Sequence, residues 1–246
     1  MKKHIDINCD LGEGVGNEAD ILPLVSSCNI ACGGHAGDEA TMKWVVSLAK
    51  KHQVKIGAHP SYPDTANFGR VSKDLSPSEL IASVREQIAQ LLSICNQDGA
   101  KLHHIKAHGA LYNDIARGGD LAKVFLEAIS PYKAAIFLYV PAESSLVQLA
   151  IQQRFKIKRE AFVDRNYNTD LSLVSRKKDN ALINKPQSVL EHMLRMVIEG
   201  RVLTVSGTLK NIAADTYCIH GDTVNALQIL MYLSKALPKH NIFLPN

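Results

Sequence analysis

Apolar and polar positions alternate in short runs along this chain, and most runs stop at a knot of polar residues followed by glycine or proline. From His4 to Asp10, Ile5, Ile7 and Cys9 fall on one side and Asp6, Asn8 and Asp10 on the other, which is the period of a strand. Ser27 to Ala31 repeats the design with Cys28 and Ile30 opposite Ser27 and Asn29. Val54 to His59 ends Gly57-Ala58-His59-Pro60. In the stretch from His103 to His108, His104, Lys106 and His108 share one parity, with Ile105 and Ala107 on the other. Further strands are predicted over Ala134 to Val140, Arg159 to Val163 and Thr216 to His220, with Val202 to Ala213 as an extra hairpin. Helical spacing fills the gaps over 39–52, 76–96, 187–199 and 224–237, with Asp38 and Ser76-Pro77-x-Glu79 as starts. Strands alternating with helices predict a parallel sheet with crossover helices. Seven such strands predict a TIM-like (β/α) barrel, read as one domain over 1–246, with its polar strand ends gathered on one face.

Those strand ends carry the candidate chemistry. Polar side chains pointing into a barrel are costly unless partnered, so the Asp6-Asn8-Asp10 face reads as functional. Gly12, Gly14 and Gly16 flank Glu13 without dinucleotide or Walker spacing, and read as a flexible loop bringing Glu13 over the strand end. Glycines around His35 let the backbone approach a ligand. The long loop from Pro60 to Ser76, with Tyr62, Phe68 and Arg70, reads as a lid. Tyr112 and Asn113 either bind substrate or cap the barrel. Asp164-Arg165 offers an ion pair or, as the favoured reading, an anion anchor at Arg165. His220-Gly221-Asp222-Thr223 closes the set.

Composition narrows the field. The 246 residues are 46% hydrophobic and 21% charged with a net charge of +4, an ordinary globular balance without the basic clustering of a nucleic-acid binder. No stretch approaches a membrane span. Five cysteines without a Cys-x-x-Cys pair read as buried free thiols of a reducing cytosol, so a cytoplasmic protein is expected.

Six ordered motifs carry a resemblance: Asp6-Ile7-Asn8-Cys9-Asp10-Leu11-Gly12-Glu13-Gly14, Asn29 through Asp38, Gly57-Ala58-His59-Pro60, His108-Gly109-Ala110-Leu111-Tyr112-Asn113, Phe162-Val163-Asp164-Arg165 and His220-Gly221-Asp222-Thr223. Together they resemble the LamB/YcsF family from Ile5 to about Leu237. The resemblance implies a seven-stranded barrel of the glycoside hydrolase/deacetylase type. It also implies ATP-dependent opening of the lactam 5-oxo-L-proline (pyroglutamate) to glutamate, together with subunits B and C of a 5-oxoprolinase. The chain departs from the family pattern at Gly34, where phenylalanine is common, at Glu39 and Ala107, where proline is, and at Val71, where a second arginine is. A usual glycine is also missing from Asn168 to Leu173.

A five-membered lactam is a stabilised amide. Phosphorylating its oxygen with ATP as co-substrate would activate the carbon for water, which needs a base, a cation and a carboxylate anchor. Asp10 or His59 is the expected base, Lys106 with His108 the electrostatic and proton-transfer pair, and Arg165 the anchor. Asn8, Glu13, Asn29, His35, Tyr112, Asn113, Asp164, His220 and Asp222 complete the expected substrate site. Two other readings stand beside this one. One is an amidohydrolase or deacetylase holding a divalent metal on Asp10, His59 and His108. The other is a protein that only binds the lactam for chemistry done on another chain. His104 and His108 share no metal on a strand, where four residues span roughly 13 Å.

Overall fold

The computed structural model describes residues 2–245. Seven parallel strands close into a barrel: β1 (Asp6–Leu11), β2 (Ser27–Ala31), β3 (Lys55–His59), β4 (Leu102–Ile105), β5 (Phe137–Pro141), β6 (Lys156–Phe162) and β7 (Thr216–His220). Each pairs with the next in parallel, and β7 closes the ring between β6 and β1. Helices α1 (Glu39–Lys51), α2 (Pro77–Gln97), α3 (Gly109–Ala116), α4 (Gly119–Ile129), α5 (Ser145–Gln152), α6 (Pro186–Leu194) and α7 (Ala226–Ala236) follow the strands. Asp38 accepts from the Thr41 amide to start α1, and Ser76 with Glu79 forms a reciprocal capping box at α2. The alternation sorts as expected: Cys28, Ile30, Ile56, Ala58 and Ile105 point outward into the helix layer and are buried there.

Two expectations shift. Lys3–His4 belongs to a separate two-stranded ribbon with Ile242–Phe243, so the first barrel strand begins only at Asp6. Arg201–Leu203 and Leu209–Asn211 do form an antiparallel hairpin outside the barrel.

The interior is polar and hydrogen-bonded in layers. At its N-terminal end Asp6 accepts from Ser27 and Thr216, each at 2.7 Å, and meets Lys55 at 3.0 Å. This end of the Asp6-Asn8-Asp10 face is therefore a structural network rather than a site. One layer up, Asn8 donates to Glu160 and Thr216, while Asn29 donates to Asn8 and Asp10 and accepts from the His104 ring. Gly57 makes room for that ring, since a Cβ there would lie 2.1 Å from His104 Nε2. A buried polar core of this kind is tolerable only when saturated, and these groups are.

Candidate active site

Strand register decides which inward residues meet. Asp10 is level with Asn29 on one side and His220 on the other, and Thr216 is level with Glu160. Lys106 lies beyond the end of β4 on its inward parity. It forms the floor of a cavity of about 1010 Å³ at the C-terminal rim of the barrel. The loops around Arg70, Glu143 and Leu171 wall that cavity.

The Lys106 ammonium is dry and crowded: Asp10 Oδ1 at 2.9 Å, Glu160 Oε1 at 3.0 Å and the Cys218 thiol at 3.1 Å. Burial opposes a charge there, yet the Asp10 carboxylate and its neighbours hold the lysine pKa well above its ordinary value. Lys106 is thus a permanent cation. Burial likewise opposes the Asp10 charge, but His59 and Lys106 keep its pKa well below the usual range. Glu160 belongs to this cluster, and the sequence alone does not single it out. It sits at 1% exposure, takes the Tyr112 hydroxyl at 2.7 Å and completes the carboxylate pair around Lys106. Its parity with Phe162 and Asp164 is the one available signal.

A second group pairs Asp164 with His220. Asp164 accepts from the His220 backbone amide at 3.0 Å, from the Thr223 hydroxyl at 2.6 Å and from the imidazole Nδ1 at 3.0 Å. The carboxylate fixes the ring tautomer, leaving Nε2 as the acceptor, and His220 lines the cavity. Asp164 therefore positions His220 and makes no ion pair with Arg165. Arg165 donates to the carbonyls of Val174 at 2.6 Å and Ala181 at 3.4 Å, and its guanidinium also lines the cavity. Burial and the nearby Arg176 lower its pKa to about 10.

The third group gathers Glu13, His35, His59 and His108. Glu13 Oε1 lies 3.0 Å from His35 Nε2, 3.2 Å from His108 Nδ1 and 3.8 Å from His59 Nε2. His59 Nε2 and His108 Nδ1 are 3.0 Å apart. Burial holds the His35 pKa down to about 4 and lowers that of His108. Burial opposes ionisation of Glu13 too, but hydrogen bonds from His108 and His35 leave its carboxyl well below the usual range.

Asp10, Glu13, His59, Lys106, His108, Tyr112, Asn113, Arg165 and His220 thus line one cavity. Asn8, Asn29 and Asp164, expected to touch substrate, lie beneath it with their polar atoms bonded to the barrel network. His35 stands behind Glu13. Asp222 is not in the lining but is joined to Arg70 and lies 3.6 Å from Arg176, which both wall the cavity. In the metal set read from sequence, Glu13 rather than Asp10 groups with both histidines; Asp10 keeps its Oδ1 on Asn29 and Lys106 and meets His59 through Oδ2 at 3.3 Å.

The Pro60–Ser76 loop walls the cavity, with Tyr62, Asp64, Phe68 and Gly69 bonded to the rest of the molecule. Tyr62 is buried and donates to Asp114, the Asp64 amide donates to the Gly34 carbonyl, and the Gly69 carbonyl accepts from the Ala110 amide. Phe68 is held at φ 54°, a strained conformation for a non-glycine residue, and its carbonyl accepts from His108 Nε2.

A closed seven-stranded parallel barrel with its helices outside and its polar groups at the C-terminal rim is a TIM-like (β/α) barrel. The family 4 carbohydrate esterase of Streptomyces lividans shares the fold at a TM-score of 0.54 and 9% identity, covering 99% of this chain and 92% of that one. The chain belongs to the LamB/YcsF family, whose profile matches residues 5–245. A relative from Staphylococcus epidermidis, named as one of the subunits of 5-oxoprolinase, is 40% identical over 247 residues, 98% of each chain. The crystal structure of the lactam utilization protein from Thermus thermophilus matches at a TM-score of 0.91 and 34% identity, covering 98% of both chains. Among the described residues no helix is long and apolar enough to cross a membrane, and all five cysteines are free and buried.

Proposed function

We propose that this chain opens the lactam ring of 5-oxo-L-proline to L-glutamate, coupled to ATP hydrolysis and in assembly with 5-oxoprolinase subunits B and C. The names carried by its relatives support the substrate, and the observation that carries the chemistry is the sealed Lys106 ammonium at the cavity floor. Transfer of the ATP γ-phosphoryl group to the lactam oxygen makes the ring carbon electrophilic. Water adds there, the C–N bond breaks as the nitrogen takes a proton, and the resulting acyl phosphate is hydrolysed by a second water to glutamate and inorganic phosphate. Lys106 offsets charge on the lactam oxygen, and Arg165 anchors the substrate carboxylate. His220, held by Asp164, accepts the proton of the attacking water. This moves the base away from Asp10 and His59. Asp10 Oδ1 is bonded to Lys106 and Asn29 and its Oδ2 lies 3.3 Å from His59 Nε2, while His59 donates from Nδ1 to the Lys106 carbonyl and its Nε2 also faces His108. No phosphate-binding loop of known type occurs in the chain, so nucleotide handling falls to the partner subunits.

The test is glutamate release from 5-oxoproline and ATP, assayed with this chain alone, with subunits B and C alone, and with all three. Release only from the full set is expected. An assembled set that forms no lactam-dependent glutamate would overturn the reading.

A further inference from the structure

We propose that Glu13 Oε1, His59 Nε2 and His108 Nδ1 bind one divalent transition-metal ion of the zinc class at the side of the cavity. The first argument is the proton count. His59 Nδ1 donates to the Lys106 carbonyl at 2.8 Å, and His108 Nε2 donates to the Phe68 carbonyl at 3.0 Å. With both rings neutral each carries one N–H, so the two remaining nitrogens are lone pairs. They face each other at 3.0 Å, with the Glu13 carboxylate oxygen 3.2 Å from one and 3.8 Å from the other. Asp10 Oδ2 lies 3.3 Å from the same His59 nitrogen, so electron-rich atoms crowd together in a dry wall, and either a metal ion or a proton held on His59 relieves them; the geometry favours the ion.

Geometry says which kind. Ligand atoms held tetrahedrally at 2.0–2.1 Å from an ion lie about 3.3 Å apart, and the three separations here scatter around that value. The outer contacts have the same character. Ligating histidines characteristically donate their second N–H to a carbonyl or carboxylate, as both do here, and ligating carboxylates are themselves hydrogen-bonded. That last role falls to His35, whose Nε2 is 3.0 Å from Glu13. His35 is not a fourth ligand: its ring is stacked on His108 at 3.6 Å and 3°, so the in-plane lone pairs of the two rings run side by side and do not converge. Two histidines and one carboxylate leave a coordination position facing the cavity, as in a catalytic rather than a structural site, and imidazole-rich sets select zinc, iron, cobalt or nickel over magnesium or calcium. Such an ion would supply a Lewis acid and a bound water of lowered pKa.

The test uses the full chain, stripped with chelator and titrated with Zn2+ and separately with Co2+. One equivalent per chain is expected, with Co2+ giving the visible bands of a four- or five-coordinate nitrogen and oxygen site. His108→Gln and Glu13→Gln should lose those bands, while His35→Leu should keep them with affinity weakened about 10–100-fold. Stripped wild-type chain that takes up neither ion would overturn the proposal and leave a shared proton between His59 and His108. Unchanged affinity in both His108→Gln and Glu13→Gln would overturn it as well. Ion uptake by the chain with no lactam turnover by the assembled three-subunit set would remove the proposed activity and keep this site, and lactam turnover by an assembled set whose chain binds no ion would do the reverse.

Discussion

Lys106 Nζ lies 2.9 Å from Asp10 Oδ1 with both side chains sealed from solvent, so each charge is tolerable only because of the other. Glu160 leans on the same ammonium at 3.0 Å. Lys106→Met strands two buried carboxylates and is expected to cost about 3–5 kcal/mol of stability as well as coupled turnover. Adding Glu160→Gln should recover much of the stability and none of the turnover. Urea unfolding of both variants checks this, and a single variant as stable as wild type would contradict the pairing.

Asp164 holds the proton of His220 on Nδ1. Asp164→Asn keeps the shape but offers an N–H toward the ring, which turns the tautomer so that Nε2 carries the proton into the cavity. A fall in kcat of the order of 10³–10⁴ is expected from the wrong tautomer, with KM little changed. Steady-state kinetics of the assembled enzyme measure it. An unaltered kcat would take His220 out of the base role.

Face is legible in the sequence; depth is not. A period of two puts Asp6, Asn8 and Asp10 on the inside whatever the rest of the chain does. Which of them reaches the cavity depends on depth and partners: Asn8 lies one inward position below Asp10, and Asn29, though level with Asp10, is turned into bonds with Asn8, Asp10 and the His104 ring. Glu160 is obscured by the charged run Lys156-Ile157-Lys158-Arg159, in which inward and outward positions are both polar and the alternation disappears. The meeting of Glu13 and His35 arises between two glycine-bearing loops, which have no period to read. In the 60–75 segment the aromatics are visible in the sequence, while the carbonyl contacts to His108 and Ala110 are not.

Acid should loosen the rim before neutral conditions do. Burial opposes the Asp164 charge, but His220 and Thr223 override it and lower its pKa to about 2 from 3.8. A carboxylate depressed in the folded state stabilises above its unfolded pKa, near 4, and that contribution is lost as pH falls toward 2. The share at neutral pH is about 2 kcal/mol. Urea midpoints followed from pH 6 to 2.5 should fall more steeply for wild type than for Asp164→Asn, and parallel curves would remove Asp164 as the source.

Gly34 is hemmed in from across the loop. A Cβ at this position would come 2.3 Å from Gln87 Oε1 and 2.4 Å from Ser61 Oγ. Gln87 spans the Ser61 backbone, accepting from its amide at 3.0 Å and donating to its carbonyl at 2.9 Å. Gly34→Ala is expected to cost about 1–3 kcal/mol by overpacking. Pairing it with Gln87→Ala should recover part of that loss. Thermal unfolding of the single and double variants decides, and strict additivity would show that Gln87 is not the obstacle.

Arg165 spends two of its donors on the Val174 and Ala181 carbonyls, so the guanidinium is locked before any ligand arrives. An anchor fixed in this way loses little freedom on binding, and its planar fork can grip a carboxylate through the donors left over. Arg165→Lys keeps the charge but has neither the fork nor the reach to bond both carbonyls and a ligand. KM for the lactam should rise about 10-fold or more, as expected for losing a hydrogen bond to a charged group, with a smaller effect on kcat. A lactam analogue without its carboxylate separates the roles: it should bind wild type and Arg165→Lys alike. Equal weakening of analogue and substrate would assign Arg165 to holding the 166–184 segment alone.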